Sequence, residues 1–201
     1  SSFKEARNGY GMQMARATME GAQGLLGNKR PFNLTRAAFA GIQRYSAVWT
    51  GDNTASEDHM MAGVRLVNSL GLSGVAFAGY DIGGFVGEPS PALYARWMQL
   101  GAFSPFFRAH SMINSRDAEP WSFGEEVEDI ARNYIRLRYR LLPYLYAAFE
   151  AATTGLPIAR SLALEWPQDP KIYQQPYDAA YLFGSEILVF PVESHRQLTK
   201  I

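Results

Sequence analysis

Short apolar strand patterns alternate with helical periodicities along this chain, and polar side chains follow several of the strands. After Tyr10, apolar residues recur at Met12, Ala15, Met19, Ala22 and Leu26, the spacing of an amphipathic helix, and Gly27–Asn28 would end it. "RPFNLTRAAF" reads as a strand opened by Pro31, and "YSAVWT" as a second. Met61, Val64 and Val67 suggest a helix from about Glu57. "GVAFAG", from Gly74, is small-residued and apolar, as a strand buried on both faces should be. Leu93, Trp97 and Leu100 share one face of a helix over Pro91–Leu100, and "FSPFFRAH" supplies a fourth strand. A long helix from Glu125 to Thr153 would bury Ile130, Tyr134, Leu137, Leu141 and Leu145, with Pro143 kinking or dividing it. Strands separated by helices imply a parallel sheet with helical crossovers.

Beyond "TTGLP" the texture changes. "EWPQDPKIYQQPYD" is rich in proline and polar residues, and "AAYLFGSEILVFPV" reads as a β-hairpin turning at Gly184–Ser185. This places a division near Leu164–Pro170, with residues 1–165 in one domain and 166–201 opening a β-rich second one.

Two architectures compete for the first part, a doubly wound sheet and a (β/α)8 barrel. Asp52, Asp81 and His110 each follow a different strand. In a barrel those strand ends converge on one mouth, whereas an open sheet spreads them along an edge. No Gly-x-Gly-x-x-Gly follows a strand, and no phosphate-cradling Gly-Lys-Ser/Thr loop is present. The barrel is the better reading, and a nucleotide-binding domain the worse. A barrel takes eight strands and roughly 250 residues. On this reading the chain is a fragment, or the ordered remainder, of a larger enzyme, and "SSFKEARNGYG" reads as a helix entry that hints at chain upstream.

The formal net charge is +0 over 201 residues, which gives no electrostatic footprint for nucleic acid or an anionic membrane. No apolar run approaches the roughly 20 residues that span a bilayer. Cys is absent and only 3 His are present, without His/Glu clusters at ligand spacing, so neither a metal nor another cofactor is expected. The same absence of Cys leaves the compartment open.

Each polar candidate has an ordinary explanation. Asp52 in "WTGDN" could be an Asx-turn or helix N-cap, Asp81 in "GYDIGGF" a turn residue, and His110 a satisfied strand-end histidine. Arg36 lies within a strand pattern, where a buried charge demands an anionic neighbour. Trp49, three residues before Asp52, and Phe85, four after Asp81, are placed to line a pocket. Carboxylates, an arginine, a histidine and aromatic plates together suit a sugar, which offers hydroxyls and apolar C–H faces. Arg136, Arg138 and Arg140 read as polar positions on the long helix, and His195 and Lys200 show no role.

"RPFNLTRAAFAGIQRYSAVWTGDNTA", "GYDIGGF", "RWMQLGAFSPFFRAH", "EPWSFG" and "RYRLLPYLYAAF" together resemble glycoside hydrolase family 31, from about Tyr10 to Val192. The resemblance implies the later part of a (β/α)8 barrel followed by β-rich domains. It also implies hydrolysis of α-glycosidic bonds with retention, most simply as an exo-acting α-glucosidase releasing terminal glucose from oligosaccharides. Matched to the family's motifs, Asp52 is the general acid/base, and Arg36, His110, Trp49 and Phe85 bind substrate. Asp81, in a matched motif, is placed with these substrate-binding residues, or orients a neighbour such as Arg36 rather than touching sugar. The family's nucleophile is an Asp in an upstream motif that nothing here matches. The resemblance therefore expects a partial chain whose partner is the remainder of the same enzyme. A retaining acid/base must be protonated to act, so burial or the charge of the nucleophile must favour that form, and a strand tip beside Trp49 is expected to supply a rigid, partly apolar setting. An α-xylosidase or other α-glycosidase of the family, and a non-catalytic carbohydrate-binding fragment, are the alternatives.

Overall fold

A computed structural model describes residues 2–194; the His195 and Lys200 positions lie outside the described residues. Helix α1 (Phe3–Leu26) leads to β1 (Leu34–Thr35), β2 (Ala47–Trp49), α2 (Glu57–Leu72), β3 (Ala78–Ile82), α3 (Pro91–Gly101) and β4 (Phe106–Ala109). Helices α4 (Glu125–Arg140) and α5 (Leu142–Ala152) follow, then β5 (Ala159–Ser161), β6 (Tyr181–Phe183) and β7 (Ile187–Val189).

The helix starts carry their signals. Ser56 accepts from His59 N at 3.3 Å to cap α2, and Ser90 accepts from Leu93 N at 3.2 Å to cap α3 ahead of Pro91. Pro143 divides the long helix into α4 and α5, because it cannot donate to the preceding turn.

β1 to β4 form one parallel sheet in sequential order. Every crossover therefore steps to the next strand without the reversal of a doubly wound sheet. Val48 pairs with Ala78, and Asp81 with Arg108. The outer face of the sheet (Val48, Tyr80 and Ile82) joins Met60, Met61 and Val64 of α2 and Trp97 and Met98 of α3 in one core. The opposite face carries Trp49, Gly79, Asp81, Phe106 and Arg108, as the period of two requires.

Some boundaries move. "GVAFAG" is not the strand; pairing begins at Ala78, because Gly74 at φ 84° is still turning the chain out of α2. In "RPFNLTRAAF" only Leu34 and Thr35 pair. Arg36 thus stands just past the strand end, with its side chain 59% exposed, not buried within it. The stripe of α1 is thinly covered: Ala15 is buried, but Leu26 is exposed.

On α4, Arg138 is not a surface position. It is 7% exposed and donates to Ala102 O at 2.9 Å, Ser104 O at 2.6 Å and Pro105 O at 2.9 Å. Burial lowers its pKa to about 10. It follows Val127 and Ala131 on the buried stripe of α4, so helical periodicity placed it inward.

β5, β6 and β7 form an antiparallel sheet with a hairpin at Gly184. β5 precedes the 165/166 division, and its partner β6 follows it. Tyr144 of α5 donates to Phe183 O at 2.8 Å and Tyr181 of β6 donates to Phe103 O at 3.0 Å, tying this sheet to α5 and to the turn before β4.

Candidate active site

Parallel strands deliver their C-terminal ends to one side, and there the candidate residues meet. Arg36 follows β1, and its Nη1 lies 3.4 Å from Asp52 Oδ1 in the loop after β2. Gly51 makes that approach possible: its φ is 86°, and a Cβ there would lie 2.9 Å from Arg36 Nε. Asp52 is 46% exposed in its side chain, so the expected burial is not met; the turn at Gly51 lifts it off the strand.

Asp81, in β3, is 1% exposed in its side chain and paired with Arg108 of β4, not with Arg36. The register puts these two residues directly opposite each other. Burial nevertheless raises the Asp81 pKa above the carboxylate norm. Arg108 and His110 pull it down, and the charge of Asp52 pushes it up, so all four groups share one electrostatic field. The Arg108 guanidinium lies over the Trp49 ring at 5.7 Å and the Phe106 ring at 5.3 Å. His110 stacks on Phe85 with ring centroids 5.4 Å apart and planes at 30°.

Two contributors escape a motif-by-motif reading. Arg108 precedes His110 by two residues, so strand alternation alone puts both on one face. Asn53 looks like turn vocabulary, but it joins the loops after β2 and β3. Its Nδ2 donates to Asp81 O at 2.8 Å, and its Oδ1 accepts from Phe85 N at 2.9 Å. Ala55 N donates to Val86 O at 2.8 Å and Met112 N to Phe85 O at 3.0 Å, extending the seam to the loop after β4.

Among the described residues, no group of three or more His, Cys, Asp or Glu side chains is arranged to hold a metal ion. No helix there is long and apolar enough to cross a membrane.

Residues 1–148 match the family model of the glycosyl hydrolases family 31 TIM-barrel domain, and residues 155–200 that of the family's C-terminal domain. The chain belongs to glycosyl hydrolases family 31. Within that family it is 50% identical over 192 residues to α-glucosidase 2 of Bacillus thermoamyloliquefaciens, covering 95% of this chain and 24% of that protein. The Tris-bound glucosidase II α subunit superposes with a TM-score of 0.89 at 41% identity, over 97% of this chain and 21% of that one. A family 31 dextranase of Flavobacterium johnsoniae complexed with glucose gives 0.89 at 38% identity, over 96% and 25%. The chain thus spans about a quarter or less of the length of these relatives. Family membership makes the four parallel strands part of a (β/α)8 barrel and the antiparallel sheet part of the C-terminal domain.

Proposed function

We propose that this chain supplies the acid/base side of the active site of a retaining, exo-acting α-glucosidase, as part of a longer catalytic chain. The observation that carries the reading is the meeting of the Arg36–Asp52 pair with the His110–Phe85 stack at the ends of parallel strands. α-Glucosidase relatives support the substrate class.

In this reading Asp52 protonates the leaving oxygen and then takes a proton from water. A second carboxylate, from outside the described residues, attacks the anomeric carbon from the opposite face, about 5–5.5 Å away as retention requires. Arg36 and His110 hold hydroxyls of the terminal glucose, and Trp49 and Phe85 offer ring faces to its C–H surface. Asp81 holds Arg108 in place and does not touch sugar. Remote contacts of this kind hold the reacting atoms in line. The likeness to a dextranase favours one second reading, an α-glycosidase acting on another glucan linkage. Comparing rates on maltose and isomaltose separates the two.

Asp52→Ala in the full-length protein is the test. Hydrolysis of a disaccharide should slow by roughly 10²–10⁴-fold, the usual worth of general acid–base catalysis. Cleavage of an activated α-glucosyl fluoride should suffer far less in its first step, because fluoride leaves without a proton. Azide should restore turnover and give the α-glycosyl azide, since it needs no deprotonation. Equal losses on both substrates, without azide rescue, would make Asp52 a turn residue and place the acid elsewhere.

A further inference from the structure

Between α3 and β4 the backbone turns through Ala102, Phe103, Ser104 and Pro105 without a ladder or helix to donate to its carbonyls. Ala102, Ser104 and Pro105 are buried. A buried carbonyl must find a donor, and these three, with that of the half-buried Phe103, find theirs in side chains from elsewhere. Arg138 of α4 takes Ala102, Ser104 and Pro105, and Tyr181 of β6 takes Phe103. The Arg138 guanidinium lies over the rings of Phe107 and Phe183 at 5.7 and 5.6 Å, and Phe183 meets Phe103 edge-on at 6.2 Å. A strand of the C-terminal sheet and a barrel helix therefore grip the same turn.

β4 begins at the next residue, Phe106. Arg108 and His110 stand three and five residues beyond Pro105, and both face the site. β4 pairs on one side only among the described residues, with β3. The gripped turn holds the start of the strand, while the Asp81–Arg108 pair and the bond from Met112 N to Phe85 O hold its far end.

We propose that Arg138 and Tyr181 are positioning residues for the active site: by holding the entry to β4, they set where Arg108 and His110 stand. The C-terminal sheet then acts on sugar binding through the Tyr181 hydroxyl, without touching sugar. The consequence for sugar affinity rests on the functional reading above; the hold on β4 does not.

The decisive variant is Tyr181→Phe in the full-length protein, which removes one oxygen and keeps the ring. Amides of residues 106–110 should exchange with deuterium about three- to tenfold faster, the worth of one hydrogen bond, while those of 47–49 in β2 keep their protection. Glucose affinity should weaken by a similar factor. In a His110→Ala background the same change should weaken it by less than about twofold, because the two act through one element. Arg138→Lys should behave alike, since a point donor cannot replace the fork across three carbonyls. If Arg138→Lys fails to fold, Tyr181→Phe still decides. Unchanged exchange at 106–110, or equal loosening of all four strands, overturns the hold on β4. Faster exchange with unchanged glucose affinity, or losses that add to those of His110→Ala, overturns the link to sugar binding. Failure of the unmutated protein to bind glucose sinks the functional reading instead, and the exchange measurement still decides the hold.

Discussion

Asp81 and Arg108 form an ion pair in which the carboxylate side chain is 1% exposed and the guanidinium 30%. Burial costs a carboxylate more than one half-hydrated cation returns, so the net shift of Asp81 is upward. Among the described residues its Oδ2 is buried without a hydrogen-bond partner, which adds to the cost of the charged form. In a ¹³C titration, Asp81 should therefore lose its proton above 3.8, and Arg108→Met should move that midpoint higher still by removing the main downward pull. A midpoint at or below 3.8 in the unmutated protein would mean that burial does not dominate, and a midpoint that falls on removing Arg108 would mean that Arg108 does not favour the charged form. The same variant should cost about 2–3 kcal/mol in denaturant melts, below the full cost of breaking a buried pair because Arg108 is partly hydrated.

The loops after β2 and β3 behave as one element. Asn53 supplies the side-chain bonds of their seam, and Thr54 and Val86 form a parallel bridge. Gly84 permits the approach: its φ is 86°, and a Cβ would lie 2.4 Å from Ala55 Cα. Gly84→Ala should therefore part the loops and carry Phe85 away from His110. Its expected signature is a KM for α-glucosides raised about tenfold or more, with a melting temperature lowered by the strain of the left-handed backbone. An unchanged KM would show that the loops hold Phe85 without the seam.

At the scale of the whole molecule, the contact between barrel and C-terminal sheet buries phenols. Burial raises the pKa values of Tyr80 and Tyr181, and of Tyr94 behind the loop after β4, above the usual 10.0. The folded state thus holds these protons more tightly than the unfolded chain. Their contribution to stability is fully present below pH 10.0 and is lost as pH rises toward the folded values. Arg138 runs the other way: with its pKa lowered to about 10, its burial cost is relieved above that pH. Three phenols outweigh one guanidinium, so the melting temperature should fall steeply above pH 10.0. Tyr80→Phe should flatten that fall, and an equally steep curve in the variant would remove Tyr80 from the account.

Local pattern determined much of this protein. The alternation of strand and helix, the caps at Ser56 and Ser90, the break at Pro143 and the hairpin at Gly184 all follow from residues near one another in sequence. The positions of Asp52 and His110 just past strands were equally legible, whereas Asp81 lies inside β3, because the strand starts four residues later than its apolar pattern does. Tertiary structure decided what those residues meet. Whether Asp81 faces Arg36 or Arg108 depends on strand register, and register is set by pairing across the sheet. Arg138 reads as surface until the carbonyls of a turn some 34 residues away are brought to it. The proline-rich stretch that reads as a division runs between β5 and β6, two strands that only folding pairs. Contacts between residues distant in sequence leave little trace in either partner alone, since each residue type suits several settings and only the assembled neighbours choose among them.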